Sequence, residues 1–492
     1  MAEIVTPSVR HPDRLFIGGQ WVEPAVPAYI EVISPNTEEV VARVAEARAA
    51  DMDAAVAAAR RAFDEGPWPR MRPAERARYL SAMAEKLAAR SRELESAWTL
   101  QMGGLVTMAP FVVGPGTQAF SQAAALAESF EFEKRVHSDV APCALIVREP
   151  VGVVAAIAPW NAPYAIMANK VAPALLAGCT VIMKPAPETP LEAYIIAECA
   201  EAVGLPPGVL NLVPAHREAA DHLVCNPGVD KVAFTGSTAA GRRIASVCGS
   251  RIARCTLELG GKSAAILLDD MPTEEAAQIL TQTITVMTGQ VCAMLSRAIV
   301  PRKRHDELAE AIAQAMQKVK IGYSTDPETQ MGPLAMKRQL ERVESYIEKG
   351  KAEGATLVTG GRRPPHLKRG YFIEPTLFAN VDNRSTIAQE EIFGPVLCLI
   401  PAEDIDDAVR LANDTIYGLN GAVLTHDAQA AYEIARRIRS GNFAQNSMRA
   451  DFSLPFGGFK QSGCGREGGA EGLMGYLETK TILLDAVPAQ LS

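Results

Sequence analysis

From Cys143 onward, short β-branched apolar runs alternate with helical stretches, and this alternation confines the chain to parallel α/β architecture. Strand-like residues 151–157, 180–183, 209–213, 231–234 and 255–257 are separated by helical residues 164–176, 190–203, 217–225 and 239–248. Runs that are apolar throughout, not alternately, predict a parallel sheet covered on both faces. Such sheets bind ligands at the carboxyl ends of their strands. A second series follows, with strands at 264–268, 298–300, 356–358, 396–400 and 421–425. Its helices are expected at 274–287, 305–319, 336–351, 405–413 and 429–440. The break between the series falls at Gly260-Gly261, where a glycine pair permits a hinge. Upstream, residues 15–42 predict short antiparallel strands, and 49–63 and 73–102 predict helices. Residues 128–148 and 476–486 are extended pieces that neither sheet claims, and such edges pair between subunits.

The chain has 492 residues, beyond the roughly 250–300 at which one core stops growing. Net charge of −8, a pI near 5.6 and the lack of a dense Lys/Arg face exclude nucleic acid and anionic membrane as expected partners. Nine cysteines, odd in number and without C-x-x-C spacing, imply a reducing compartment with neither a disulfide framework nor a zinc cluster. Residues 1–14 lack the apolar core of a secretory signal. The longest apolar runs, such as 171–183, fall short of the roughly 18–20 residues a bilayer requires. A cytoplasmic protein is expected.

Several stretches carry chemistry. Thr288-Gly289-Gln290-Val291-Cys292 sets a cysteine after a Gly-Gln turn, an exposed corner suited to a nucleophile if the thiolate is stabilised. The competing reading is a buried packing cysteine. Phe234-Thr235-Gly236-Ser237-Thr238, with Gly241 beyond, follows a strand and opens a helix, so a diphosphate could meet free N–H groups there. An ordinary capped helix start reads the same way. Lys184 ends a neighbouring strand, within reach of a ribose or of solvent alone. In Pro159-Trp160-Asn161-Ala162-Pro163, two prolines hold an amide as an oxyanion donor must be held, or merely form an Asn turn. Glu258, between two leucines, suits a general base through desolvation, or else pairs with Lys262. Glu391 and Phe393 share the turn 390–395, and 455–460 is a glycine-rich loop. None of the seven histidines lies in these stretches, which removes support for a papain-like enzyme, and no metal-ligand spacing occurs.

Taken in order, Pro159-Trp160-Asn161, Lys184-Pro185, Phe234-Thr235-Gly236-Ser237, Glu258-Leu259-Gly260-Gly261-Lys262, Gly289-Gln290-Val291-Cys292, Glu391-Ile392-Phe393-Gly394-Pro395 and Pro455-Phe456-Gly457-Gly458 closely resemble the aldehyde dehydrogenase superfamily. The resemblance runs from Ile17 to Lys480. It implies two Rossmann-related α/β domains plus a β-strand oligomerisation arm. The cofactor-binding domain would comprise 1–126 and 148–259, the catalytic domain 260–452, and the bridging segments 127–147 and 453–492. It also implies that Cys292 attacks an aldehyde, that Asn161 and the Cys292 N–H hold the alkoxide, and that Glu258 activates the water that hydrolyses the thioester. Glu467 and Lys170 would support proton movement.

The resemblance further implies that Lys184 reaches the adenosine ribose, Trp160, Gly236 and Ser237 the diphosphate, and Glu391 with Phe393 the nicotinamide ribose and ring. Many members carry a Glu where this chain has Pro187, with Glu188 displaced by one, which leaves NADP open although NAD is favoured. Retention of Glu258 favours hydrolysis to a free acid over transfer to coenzyme A. Tyr164, Met167, Asn169, Val291, Met294, Phe452 and Phe456 would line the substrate tunnel. Asn169 stands where succinate-semialdehyde relatives often carry Arg, so a neutral, apolar, medium or bulky aldehyde fits better. A homodimer or homotetramer is expected. The competing classes are a non-catalytic nucleotide-binding or structural relative and a thioester hydrolase without redox chemistry.

Overall fold

The computed structural model describes Val5 and residues 7–489. Its first sheet has eight strands, in the order Gly463–Cys464, Arg254–Glu258, Lys231–Thr235, Val153–Ile157, Thr180–Lys184, Leu210–Leu212, Leu15–Ile17 and Gln20–Val22. The five strands from Arg254–Glu258 to Leu210–Leu212 are parallel. Side chains alternate between faces along each strand. Val154, Ala156, Val181 and Met183 enter one apolar layer with the helix Pro163–Ala177, and Val153, Ala155, Ile157 and Ile182 enter the other with the helix Ala49–Asp64. Both faces are therefore dry, which is why these strands read as unbroken apolar runs.

The second sheet runs Thr356–Thr359, Thr376–Ala379, Val396–Ala402, Leu295–Pro301, Ser263–Leu267, Gly421–Leu424 and Ala444–Gln445. It is parallel except at Thr356–Thr359. Ala264 and Ile266 enter one apolar layer with the helices Ile405–Asn413 and Lys337–Ala352, and Ala265 and Leu267 enter the other with Thr273–Thr285 and His305–Gln317.

Three expectations need correction. The helix expected over 73–102 is two, Pro73–Ala89 and Ser91–Met102. Arg90 leaves helical geometry between them, and its guanidinium binds Glu93 at 2.8 Å and Glu198 at 2.5 Å. A 21-residue helix, Ala109–Ser129, fills a stretch left without an element, because Gly114, Pro115 and Gly116 obscure its period. The segment 453–492 is not all arm. Gly463–Cys464 seals the edge of the first sheet against Arg254–Glu258, and only Leu477–Leu484 joins the three-stranded antiparallel arm with Cys143–Pro150 and Glu133–Val136. The arm strand Cys143–Pro150 likewise runs past the boundary drawn at 147. Its inward residues Cys143, Leu145 and Val147 pack on Ile482 and Leu484.

Glu192, on the helix Leu191–Ala202, is wholly buried, and one of its oxygens has no hydrogen-bond partner among the described residues. Burial raises its carboxyl to about 8. Because the folded value lies above the unfolded one, the group's stabilisation is complete below pH ~4.5 and is lost as pH rises toward ~8. Glu192→Gln should match wild type near pH 5 and unfold later by on the order of 2–4 kcal/mol at about pH 9, as read by denaturant titration. No helix among the described residues is long and apolar enough to cross a membrane.

Candidate active site

Strand order reverses between Val153–Ile157 and Lys231–Thr235, since later strands add first on one side and then on the other. The crevice at such a reversal, outside the carboxyl ends, is where an open α/β sheet takes a ligand. The chain delivers its candidate groups there. Trp160 and Asn161 follow Val153–Ile157, Lys184 ends Thr180–Lys184, Gly236 and Ser237 follow Lys231–Thr235, and Glu258 ends Arg254–Glu258. Ser237 caps the helix Thr238–Ser250, its Oγ accepting from Ala240 N at 3.3 Å. A side chain at Gly241 would collide with Leu259, so the glycine lets this helix start close against the neighbouring strand's exit.

Cys292 arrives from the other domain. After the helix Thr273–Thr285, Met287, Thr288 and Gly289 all turn left-handed, with φ of 49°, 56° and 73°. Non-glycine residues there cost about 1–3 kcal/mol each and need external support. Thr288 Oγ1 donates to Gly332 O at 3.0 Å, and the wholly buried Gln290 supplies the rest. Its Nε2 donates to Met287 O at 2.9 Å, its Oε1 accepts from Ala335 N at 2.9 Å, and its carbonyl accepts from Asn161 Nδ2 at 3.0 Å. Asn161 is held from behind, where Trp98 Nε1 donates to its carbonyl at 2.9 Å. The cysteine turn and the amide are thus joined directly, with one Asn161 N–H left over.

Cys292 is half-buried, which corrects the exposed corner expected for it. Burial first, then the carboxylates of Glu391 and Glu258, push its thiol up to about 12. At neutral pH the thiol therefore keeps its proton until a base takes it.

Glu258 is 3% exposed, and neither carboxylate oxygen has a hydrogen-bond partner among the described residues. The ammonium of Lys262 is unpartnered too, so the pair considered for these residues is not formed. Burial, followed by the Glu467 carboxylate, holds Glu258 well above the usual carboxylate range, while Lys170 and Arg466 oppose this. Lys170 and Glu467 form a buried ion pair, and Lys170 Nζ also donates to Thr235 Oγ1 at 2.7 Å. Lys170→Met would strand a buried carboxylate and should destabilise the protein by about 3–5 kcal/mol in chemical denaturation.

Lys184 is buried, which lowers its ammonium to about 8 against the pull of Glu188. Glu188 itself binds Arg338 of the helix Lys337–Ala352 at 2.5 Å. Glu391 accepts from Gly261 N at 3.0 Å, and burial raises its carboxyl to about 7. Phe393 adopts a left-handed φ of 63° and meets the Trp160 ring edge-on, with centroids 5.3 Å apart. Gln339 secures that turn by donating to Phe393 O at 2.7 Å.

Val291, Phe452 and Phe456 pack with Cys292 in one small apolar cluster. Asn169 and Phe452 line a cavity of about 240 Å³ between the helices Ala109–Ser129 and Pro163–Ala177. Tyr164 and Met167 lie in the core of the first domain, with Tyr164 Oη 2.8 Å from Thr117 Oγ1, and Met294 lies in the core of the second. The supports that sequence reasoning missed are Trp98, Thr235 and Arg338. Each is remote in sequence from the group it holds; Trp98 and Arg338 sit in no motif, and Thr235 lies in one that was read for its glycine and serine, while Gln290 was read only as a turn residue. No cluster of three or more His, Cys, Asp or Glu residues among the described residues could hold a metal.

Known proteins are similar to this chain over nearly their whole length. A geranial dehydrogenase of Castellaniella defragrans is 43% identical over 96% of this chain and 98% of its own. A 3-succinoylsemialdehyde-pyridine dehydrogenase of a Pseudomonas species is 40% identical over 96% and 98%. The crystal structure of a Mycobacterium tuberculosis aldehyde dehydrogenase complexed with NAD+ superposes with a TM-score of 0.94 at 44% identity, covering 97% of this chain and 99% of that one. A mutant aldehyde dehydrogenase C of Pseudomonas syringae, complexed with NAD+ and octanal, gives 0.93 at 40% identity, covering 97% and 98%. The sequence pattern of the aldehyde dehydrogenase family matches residues 21–482, and the chain belongs to that family.

Proposed function

We infer that this protein oxidises a neutral, apolar aldehyde of medium size to its carboxylic acid, with NAD as the hydride acceptor. The observation that carries the reading is the buried Glu258 carboxylate, unpartnered at both oxygens and close enough to Cys292 to raise its thiol. An unpaired buried carboxylate is costly, and a base awaiting a proton is a use that justifies the cost.

The residues at the crevice fit a dinucleotide. The N–H groups opening the helix Thr238–Ser250 suit a diphosphate, and Lys184 offers a buried donor for a ribose hydroxyl. Glu391 is an acceptor for the second ribose, and Phe393 with Trp160 makes an apolar wall. When bound, NAD supplies an acceptor for hydride.

The chain's own groups perform the rest. Cys292 gives its thiol proton to solvent as Sγ adds to the aldehyde carbon, and the spare Asn161 N–H with the Cys292 backbone N–H meets the developing alkoxide. Loss of hydride leaves a thioester on Cys292. Glu258 takes a proton from water as the water attacks this thioester, and the acid departs. The Lys170–Glu467 pair beside Glu258 is positioned to pass the proton on. Asn161→Ala should lower kcat by roughly 10²–10³-fold with little change in NAD affinity, the scale of one lost oxyanion donor.

The cavity between the helices Ala109–Ser129 and Pro163–Ala177 shares Phe452 with the Cys292 cluster and has no charged residue in its lining; Ala119, Ala123, Leu126, Pro173 and Phe452 make it mainly apolar. A substrate carboxylate would enter it unpaired. The P. syringae and C. defragrans relatives, whose names specify octanal and geranial, agree with this preference. The two free edges of the arm, Glu133–Val136 and Leu477–Leu484, support assembly as a homodimer or homotetramer.

The test is reduced-nicotinamide formation from octanal, geranial, benzaldehyde and succinate semialdehyde, with NAD and NADP in turn. Octanal or geranial with NAD should exceed succinate semialdehyde at least tenfold in kcat/KM. A preference for the carboxylated aldehyde would overturn the substrate class. Cofactor binding without turnover of any aldehyde would favour the non-catalytic relative.

A further inference from the structure

Two of the nine cysteines meet outside the active site. Cys248 lies near the end of the helix Thr238–Ser250, and Cys255 is the second residue of the strand Arg254–Glu258 that follows. The turn between them is tight. Ala253 N donates to Cys248 O at 2.9 Å, and Ile252 takes a left-handed φ of 57° to reverse the chain. The strand therefore doubles back along the helix, and both thiols enter the apolar layer that holds Ile244, Val232 and Leu257. There each thiol is near enough to shift the other's hold on its proton. Cys248 is 1% exposed, whereas Cys255 is only half-buried.

The environment distinguishes their roles. The hydrogen bond from Cys248, and then the charge of Lys231, bring Cys255 down to about 6 although burial opposes it. Cys248 is held high as the proton-bearing partner. A half-exposed thiolate beside a second thiol is the arrangement of an attacking and a resolving cysteine.

We propose that Cys255 and Cys248 form a peroxide-reactive dithiol that closes to an intrachain disulfide. The Cys255 thiolate attacks one peroxide oxygen; an S–O bond forms, the O–O bond breaks, and hydroxide leaves to become water. The Cys248 sulfur then attacks the Cys255 sulfenic acid. The S–S bond forms, the S–O bond breaks, and the hydroxyl departs as water with the Cys248 proton. Two thiols lose two electrons, and one peroxide becomes two waters. Closure draws together two sulfurs of one apolar layer, across a turn that already brings their backbones together. Cys292, on the other domain, takes no part.

Peptide mapping of the full-length protein tests this without relying on turnover. Trypsin cuts after Arg251 and Arg254, so a bridge joins two peptides that otherwise separate. After brief treatment with hydrogen peroxide and alkylation without reduction, the joined peptide should appear with the loss of two hydrogens and should vanish on treatment with dithiothreitol. In Cys248→Ser, Cys255 should stop at sulfenic acid and be captured by dimedone. Recovery of both peptides separately alkylated, under conditions that oxidise Cys292, would overturn the proposal. So would a Cys248→Ser protein in which dimedone captures nothing at Cys255.

Discussion

Cys292→Ala lowers aldehyde turnover by roughly four orders of magnitude or more, the scale on which enzymes lose activity when a covalent nucleophile is removed. The size follows from how little else could substitute. The apolar cluster around Cys292 contains Ala293, Leu419, Val291, Met448, Phe452 and Phe456, none of them nucleophilic. The variant should fold normally, because the turn is held through Gln290 and Thr288 and not through the sulfur. Equilibrium binding of NAD should be unchanged, since the helix Thr238–Ser250 and Lys184 belong to the other domain. Loss of turnover with NAD affinity retained is the expected pair of results, from initial rates and from fluorescence titration.

Glu258→Gln should separate the two halves of the reaction. Formation of the thioester does not need a base for water, whereas its hydrolysis does. The variant should give one rapid equivalent of reduced cofactor per site and then turn over about 10²–10⁴-fold more slowly than wild type, the contribution of a positioned general base. The pH dependence has a definite sign. Burial and Glu467 raise the Glu258 carboxyl well above its ordinary value, so the active, ionised base is gained as pH rises through that raised value. Steady-state kcat in wild type should climb with pH on this limb. In Glu258→Gln the limb should disappear, and stopped-flow absorbance against pH reads both features.

Much of this was legible in the sequence, for identifiable reasons. Strands buried on both faces must be apolar throughout, so Val153–Ile157, Thr180–Lys184 and Lys231–Thr235 stood out, and with them the groups at their ends. Glu258 was visible because a carboxylate between two leucines is anomalous in any packed strand. Three features were hidden. The helix Ala109–Ser129 carries glycine and proline in its interior, where tertiary packing against Pro163–Ala177 and Pro73–Ala89 keeps it helical. The strand Gly463–Cys464 is two residues long and has no pattern of its own; it exists because Arg254–Glu258 offers an edge. The left-handed run at Met287 and Thr288 could not be read locally either, because nothing in those side chains favours φ > 0. Gly332 and Ala335 impose it from a distance, through Thr288 and Gln290.

The half-buried state of Cys292 belongs to the same class. A Gly-Gln turn placed the cysteine at a corner, but the loop 391–395 and the residues Phe452 and Phe456 close over that corner from distant parts of the chain. The consequence is chemical: the thiol is raised where an exposed one would have been ordinary, and so Cys292 must shed its proton to solvent before it attacks.

The central claim is that Cys292 carries the acyl group and Glu258 releases it. Intact-mass and peptide analysis of Glu258→Gln, quenched in acid shortly after mixing with NAD and octanal, tests it most directly. An octanoyl adduct on the Cys292 peptide that persists in Glu258→Gln and is lost within the quench time in wild type is the predicted result. No adduct in either protein while reduced cofactor accumulates, or an adduct on a residue other than Cys292, would contradict the account.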